Sequence, residues 1–284
     1  MKNSILLALI AIAVGAVVPA NATTANFNFL TCGGSNPSCS STLSAYVIGS
    51  TGTTGITATA TAFYVTSTSS GSMQSGQVGA YSGNGLGICE NGSDTGSGAN
   101  CDSPWHQIDN GKNPVNNGPS TQQDYEFMLI AFTGSAVNLS NVAVQLGNYG
   151  GGSSDPFDVT YFTSSAATLT TAVTSLSYSQ IAAGADGFSA AQSSSCSSGV
   201  TLDQTAQGEV TSDCNAEAMD TLSGSNVTYL LIGASVSDAS GSDYFKLQAL
   251  DVNKSSATPE PATFGLIGLS LAGLGFLKRK RKLT

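Results

Sequence analysis

The sequence predicts an all-β protein, an antiparallel β-sandwich or jelly roll framed by an N-terminal signal helix and a short C-terminal transmembrane helix. Three observations carry this reading. Six stretches of strand length are rich in Thr, Val, Tyr and Phe, and Gly/Ser/Asn/Asp clusters separate them. A single short segment, residues 178–183, has helical character. The two long apolar runs lie at the ends of the chain, each beside basic residues.

The N-terminal element comes first. Met1-Lys2-Asn3 is followed by an apolar run over residues 5–18 and then by the small-x-small site Ala20-Asn21-Ala22. A positive start, an apolar stretch of that length and such a site define a secretory signal peptide, residues 1–22. The competing reading is a buried core helix. Export implies signal peptidase and the secretion machinery as partners, and an oxidising compartment.

Residues 23–252 are the body, of a length that suits one all-β domain. The strands are expected over residues 56–66, 125–132, 137–146, 157–162, 227–236 and 244–252. Residues 125–132 do not alternate polar with apolar, which suits a strand buried on both faces. Gly/Asn/Ser-rich stretches at 82–122 and 147–155 read as long surface loops. Ser and Thr, 42 and 29 residues, make a quarter of the 284-residue chain, and only 10% of residues are charged. Between Thr23 and Thr258 there are three lysines, no arginine and 17 carboxylates, so the body carries 3 − 17 = −14. A surface of that sign cannot neutralise a run of phosphates, which excludes nucleic acid as a partner of the body.

Six cysteines, Cys32, Cys39, Cys89, Cys101, Cys196 and Cys214, all fall in the exported part. An even count in a secreted chain favours disulfides, and nearest-neighbour order suggests Cys32–Cys39, Cys89–Cys101 and Cys196–Cys214 among fifteen pairings. Zinc is the alternative, but no Cys-x2-Cys pair occurs and His106 is the one histidine.

The densest constellation of chemically versatile residues is Cys101-Asp-Ser-Pro-Trp105-His106-Gln-Ile-Asp109-Asn110. Asp109 and Asn110 offer oxygen donors and Trp105 a stacking surface, so the loop suits Ca2+ or a sugar. The plainer reading is a loop knot whose Asp and Asn side chains satisfy backbone donors. Asp155 and Asp158 form a second carboxylate pair on a Gly-rich turn. No Gly-x-Ser-x-Gly elbow precedes a helix, and no cofactor motif is present. The expectation is a protein without enzymatic activity and without a cofactor, Ca2+ being the one ion its donors suit. Two alternatives stay open: a carbohydrate-binding module that stacks sugars on Trp105 and on Tyr46, Tyr64, Tyr81, Tyr149 and Tyr161, and a secreted hydrolase. Asp238, Asp243 and Asp251 read as a solvated rim.

After a linker at residues 253–257 comes the final segment, residues 258–282. Pro259-Glu260-Pro261 leads into an apolar run over residues 264–277 and then the basic tail Lys278, Arg279, Lys280, Arg281 and Lys282. Fourteen helical residues span about 21 Å, and extension back to Ala262 with snorkelling lysines nearly reaches the ~30 Å of a hydrocarbon core. The basic tail stays on the cytoplasmic side, leaving the body outside.

This order resembles the PEP-CTERM sorting signal of Gram-negative bacteria; the segment is also similar to one named the ice-binding protein C-terminal domain, a label that describes the anchor and not the body. The resemblance implies recognition of Pro259, Glu260 and Pro261 by an exosortase. It also implies transient anchoring in the inner membrane, then release to the cell surface or to an extracellular matrix with exopolysaccharide as a partner. A tail anchor without processing is the competing reading. Within the body, Gly85-Leu-Gly-Ile-Cys89 and His106-Gln-Ile-Asp109-Asn110 resemble elements of exported PEP-CTERM proteins over roughly residues 81–162, which implies a β-sandwich ectodomain of unassigned activity. The expected role is structural or adhesive.

Overall fold

The computed structural model describes residues 24–31, 40–50, 54–69, 71–89, 108–109, 125–146, 158–195, 201–202, 210–211, 217–236 and 244–255. Residues 1–22, expected as a signal peptide, and the sorting segment lie outside them. Residues Thr23–Ser255 form one compact unit.

In chain order the strands are β1 Thr24–Asn28, β2 Ser40–Leu43, β3 Tyr46–Gly49, β4 Thr57–Val65, β5 Gln74–Ser75, β6 Gln77–Tyr81, β7 Gly85–Cys89, β8 Ile108–Asp109 and β9 Tyr125–Thr133. They continue with β10 Val137–Leu146, β11 Asp158–Ser164, β12 Gln192–Ser195, β13 Thr201–Leu202, β14 Val210–Thr211, β15 Glu217–Thr221, β16 Tyr229–Ala234 and β17 Tyr244–Lys254. One α-helix, α1 Tyr178–Ala182, falls where the helical segment was expected. Every pairing between these strands is antiparallel.

Among the described residues two large sheets result, as the patterning predicts, and β13 and β14 form a separate two-stranded ladder. The first, sheet A, runs β15-β10-β17-β7-β6-β2, with β1 and β8 also on β17; the second, sheet B, runs β12-β11-β16-β9-β4-β3, with β5 also on β4. Alternation explains how they pack. On β4 the alanines Ala58, Ala60 and Ala62 point inward, while Thr57, Thr59 and Thr61 point out and are partly exposed. Strand β9 is buried on both faces: Met128, Ile130 and Phe132 enter the core between the sheets, Phe127 and Leu129 a second core on the far side of sheet B.

That second core is closed by residues 169–188. Tyr178 and Ile181 of α1, with Val173, Leu176 and Phe188, pack on Phe127, Leu129, Phe162 and Leu231. Tyr178 lies 5.6 Å from Phe162 and 5.8 Å from Phe127 between ring centroids. So short a helix forms here because both ends are specified. Ser177 Oγ accepts from Gln180 N while Gln180 Oε1 accepts from Ser177 N, and Gly184 in the left-handed region ends it. Asp186 then ties the segment back, accepting from the Thr170 and Thr171 amides and from Thr170 Oγ1.

Strand β17 is the spine of sheet A. One edge pairs with β10; the other pairs in turn with β8, β7 and β1. Ala143 faces Ala249 and Val144 faces Leu247, so Gln248 is the extra residue of a β-bulge. The bulge reverses the alternation, so that Leu247 and Leu250 both face the core. Two expectations change here. The stretch 82–122 is not simply a surface loop, because β7 lies within it, fully buried, and Gly85 crosses β17 closely. At Gly85 φ is +98° and a Cβ would stand 2.3 Å from the Leu247 carbonyl oxygen, so only glycine fits. The last strand also runs to Lys254, and Ser255 N still donates to Ala136 O, two to three residues into the stretch read as linker.

Candidate functional site

The strand registers gather several of the sequence-picked residues at one end of the sandwich. Asp109 stands opposite Tyr244, and its neighbour Ile108 stands opposite Phe245, both of that pair being fully buried. Strand β8 also lies against β9 and β16. Asp158 opens β11 opposite Ser195, one residue before Val159 meets Ala234 near the end of β16. Asp109 and Asp158 therefore sit at the same end of the molecule but in different sheets. Trp105, His106, Asn110 and Asp155 lie outside the described residues, as do Cys32, Cys39, Cys101, Cys196 and Cys214. Cys89 is described: it ends β7 opposite Gln77, is fully buried and is disulfide-bonded.

Three of the five tyrosines proposed as stacking platforms are corrected, while Tyr81 is half-buried. Tyr46, Tyr64 and Tyr161 are buried. The Tyr46 hydroxyl donates to Thr31 O, that of Tyr64 to Gln74 Oε1, and that of Tyr161 accepts from Ser223 N. Their rings fill the interior and offer sugars no face. Tyr149 lies outside the described residues. Asp251 is corrected too: it is 8% exposed and accepts from Asn26 Nδ2 at 2.5 Å, so it belongs to a buried polar pair and not to a solvated rim. Asp238 and Asp243 lie outside the described residues.

Sequence reasoning passed over a polar layer on the outer face of sheet A. Lys246 is 4% exposed and its Nζ stands 4.3 Å from the centroid of the Tyr81 ring. Burial disfavours its charged form and lowers its pKa to about 8. Asn26, Asn28, Gln248 and Asp251 are buried on the same sheet, and among the described residues Gln248 Oε1 has no hydrogen-bond partner. At the same end of the sandwich as Asp109 and Asp158, Glu126 is a buried carboxylate on β9 opposite Tyr64. A signal was available for both: Glu126 and Lys246 are lone charges inside otherwise apolar strand segments, Tyr-Glu-Phe-Met-Leu-Ile and Tyr-Phe-Lys-Leu.

Among the described residues no group of three or more His, Cys, Asp or Glu side chains is placed to hold a metal ion. No helix among them is long and apolar enough to cross a membrane.

Taken with the sequence that follows it, the body defines a class: an antiparallel β-sandwich carrying a C-terminal Pro-Glu-Pro, apolar and basic segment. Residues 257–281 match the PEP-CTERM protein-sorting motif. The match takes in Pro259, Glu260, Pro261 and the tail from Lys278 to Arg281, and Lys282 follows directly. The motif implies export, transient anchoring in the membrane, processing by an exosortase and a place at the cell surface. No curated protein and no solved structure matches the chain.

Proposed function

We propose that this is a non-enzymatic protein of the cell surface or extracellular matrix, with a structural or adhesive role linked to exopolysaccharide. The observation that carries the reading is the sorting motif at residues 257–281, attached to a body of net charge −14. A motif of this kind delivers the body to the surface. There, a polar sandwich with uncharged threonines Thr57, Thr59 and Thr61 on one outer face suits contact with hydrated polysaccharide. Disulfides complete a body built for an oxidising exterior, with Cys89–Cys101 the pairing that sequence order favours.

The test is cell fractionation of wild type against Glu260→Ala, with mass spectrometry of the mature C-terminus. Wild type is expected at the surface with its C-terminus trimmed near Pro-Glu-Pro, and Glu260→Ala as a full-length membrane species. Identical full-length membrane species in both would defeat the sorting claim. Retention of the released body on isolated exopolysaccharide tests the role; a body that elutes with buffer would remove it.

A second reading rests on β8. Pairing with β17 fixes the backbone of Asp109 on a rigid strand beside Trp105 and Asn110 in sequence, which suits a carbohydrate-binding module that uses Ca2+. A glycan array with and without Ca2+ decides it: specific binding lost in Trp105→Ala supports the module, and an unchanged array removes it.

A further inference from the structure

Strand β3 ends sheet B, and among the described residues no strand pairs with its outer edge. Its ladder with β4 pairs Tyr46 with Ala60, Val47 with Thr59, Ile48 with Ala58 and Gly49 with Thr57. Ser50 N donates to Ile56 O at 2.9 Å in the same register. Hydrogen-bonded pairs alternate in an antiparallel ladder, so Tyr46 and Ile48 turn their N–H and C=O groups toward β4. Val47 and Gly49 turn theirs outward. Among the described residues no hydrogen bond from outside the β4 ladder reaches either residue.

Such an edge is a template for another strand, and natural sheets blunt it with charge, proline or a bulge. Tyr46-Val47-Ile48-Gly49 has none of these. Val47 is 48% exposed and is the exposed large hydrophobic side chain among the described residues.

We propose that this edge pairs two copies of the chain antiparallel, about a two-fold axis at Ile48. In that register Val47 of each copy stands opposite Gly49 of the other. The two outward N–H and two outward C=O groups of each strand are then all used, making four inter-chain hydrogen bonds. Faces are conserved, because Val47 and Gly49 lie on the outer face and Tyr46 and Ile48 stay in their own core. Space is available: a Cβ built on Gly49 meets nothing within 4 Å, so the Val47 side chain of the second copy covers an open glycine.

Charge selects a second copy of this chain at this place. A body of −14 repels its like over most of its surface. The residues of sheet B that flank the edge on the outer face, Thr57, Thr59, Thr61, Ala131 and Thr133, are all neutral. Two copies meeting here join their uncharged faces into one. A strand of four residues buries little area, so the association is weak and responds to concentration, as suits a protein held at high density on a surface.

The experiment mixes two full-length chains in mild detergent, one Val47→Cys and one Gly49→Cys, with copper phenanthroline as oxidant. Opposed Cα atoms of a hydrogen-bonded pair lie about 5.5 Å apart, within disulfide range, whereas two copies of one position are offset by two residues and lie beyond about 7 Å. A reducible dimer is expected in the mixture and not from either chain alone. Val47→Pro removes an N–H that the monomer does not use, and sedimentation velocity should show it monomeric where wild type associates, with high salt strengthening the wild-type dimer. Val47→Lys, which retains the backbone, should act likewise. No dimer in the mixture, equal cross-linking of each chain alone, or association unchanged in Val47→Lys would overturn the proposal.

Discussion

Each of the two sheets has part of its outer face shielded from water, but by opposite chemistry. Sheet B turns Phe127, Leu129, Phe162 and Leu231 outward and covers them with an apolar cap ordered by one turn of helix. Sheet A turns outward Asn26, Lys246 and Asp251, each buried and polar. An apolar face is stabilised in proportion to area and tolerates imperfect geometry. A buried polar face is stable only while its donors and acceptors stay matched. The first is a second core; the second is a hydrogen-bonded layer whose members depend on one another.

The largest effect should come from the apolar side. Phe162→Ala removes a ring that packs on both Phe127 and Tyr178 and should cost about 3–5 kcal/mol in denaturant unfolding. Hydrogen exchange should show amides of residues 169–188 losing more protection than those of β17. Equal loss across both sheets would mean that the cap and the sandwich are one cooperative unit.

On the polar side the expected signature is coupling. Asp251→Ala removes an acceptor of the buried Asn26 amide and should cost about 1–3 kcal/mol. A double-mutant cycle with Asn26→Ala should return a coupling of about 0.5–3 kcal/mol. Additive single effects would show that the layer is a set of independent groups.

The contrast also explains what could be read from the sequence. Strands β4 and β9 were legible because their side chains sort cleanly: Thr and Ala alternate on β4, and β9 is apolar on both faces. The sorting segment was legible at 258–282 against a match at 257–281, because proline, apolar length and basic charge are each explicit in residue type. Strand β7 was missed because Gly85 and Gly87 read as loop, yet glycine is what lets Gly85 approach the Leu247 backbone. Asp251 was not recognised as buried, since a charge in the half-polar stretch Leu-Asp-Val-Asn-Lys has the same residue type whether it faces water or a matched partner. Of the candidate loop, Ile108 and Asp109 alone are placed, and what places them is pairing with β17, a contact with residues more than 130 positions away that no local pattern encodes.

Lys246 gives the comparison a pH axis. Its pKa of about 8 in the fold lies below the 10.5 of a free lysine. Below pH 8 both states are protonated and the folded protein carries the full cost of burying the charge. Between pH 8 and 10.5 the unfolded chain binds more protons, so stability rises with pH. Lys246→Met should therefore stabilise the body at pH 7, by about 1 kcal/mol once solvent screening and the lost Tyr81 contact are discounted. That advantage should shrink as pH approaches 10.5. A gain that does not vary with pH would place the effect in packing and not in charge.

The smallest effect is on the cap, at its one acidic clamp. The Thr170 hydroxyl holds the Asp186 carboxylate below its usual range against the opposing effect of burial, and the Thr171 and Thr170 amides add to it. A lowered carboxylate pKa stabilises the fold above the unfolded value, and the contribution is lost as pH falls through the folded one. Hydrogen-exchange protection of residues 169–188 should thus decline on acidification below about pH 4 while the inter-sheet amides hold. Asp186→Asn should lower that protection at pH 7, because a neutral amide accepts these donors less strongly, and should leave it insensitive to acid. The left-handed conformation at residue 186, φ +51°, accommodates Asn as readily as Asp, so the change isolates charge from backbone strain. If the variant retained the wild-type acid response, the titrating group would lie elsewhere and the clamp would act through geometry alone.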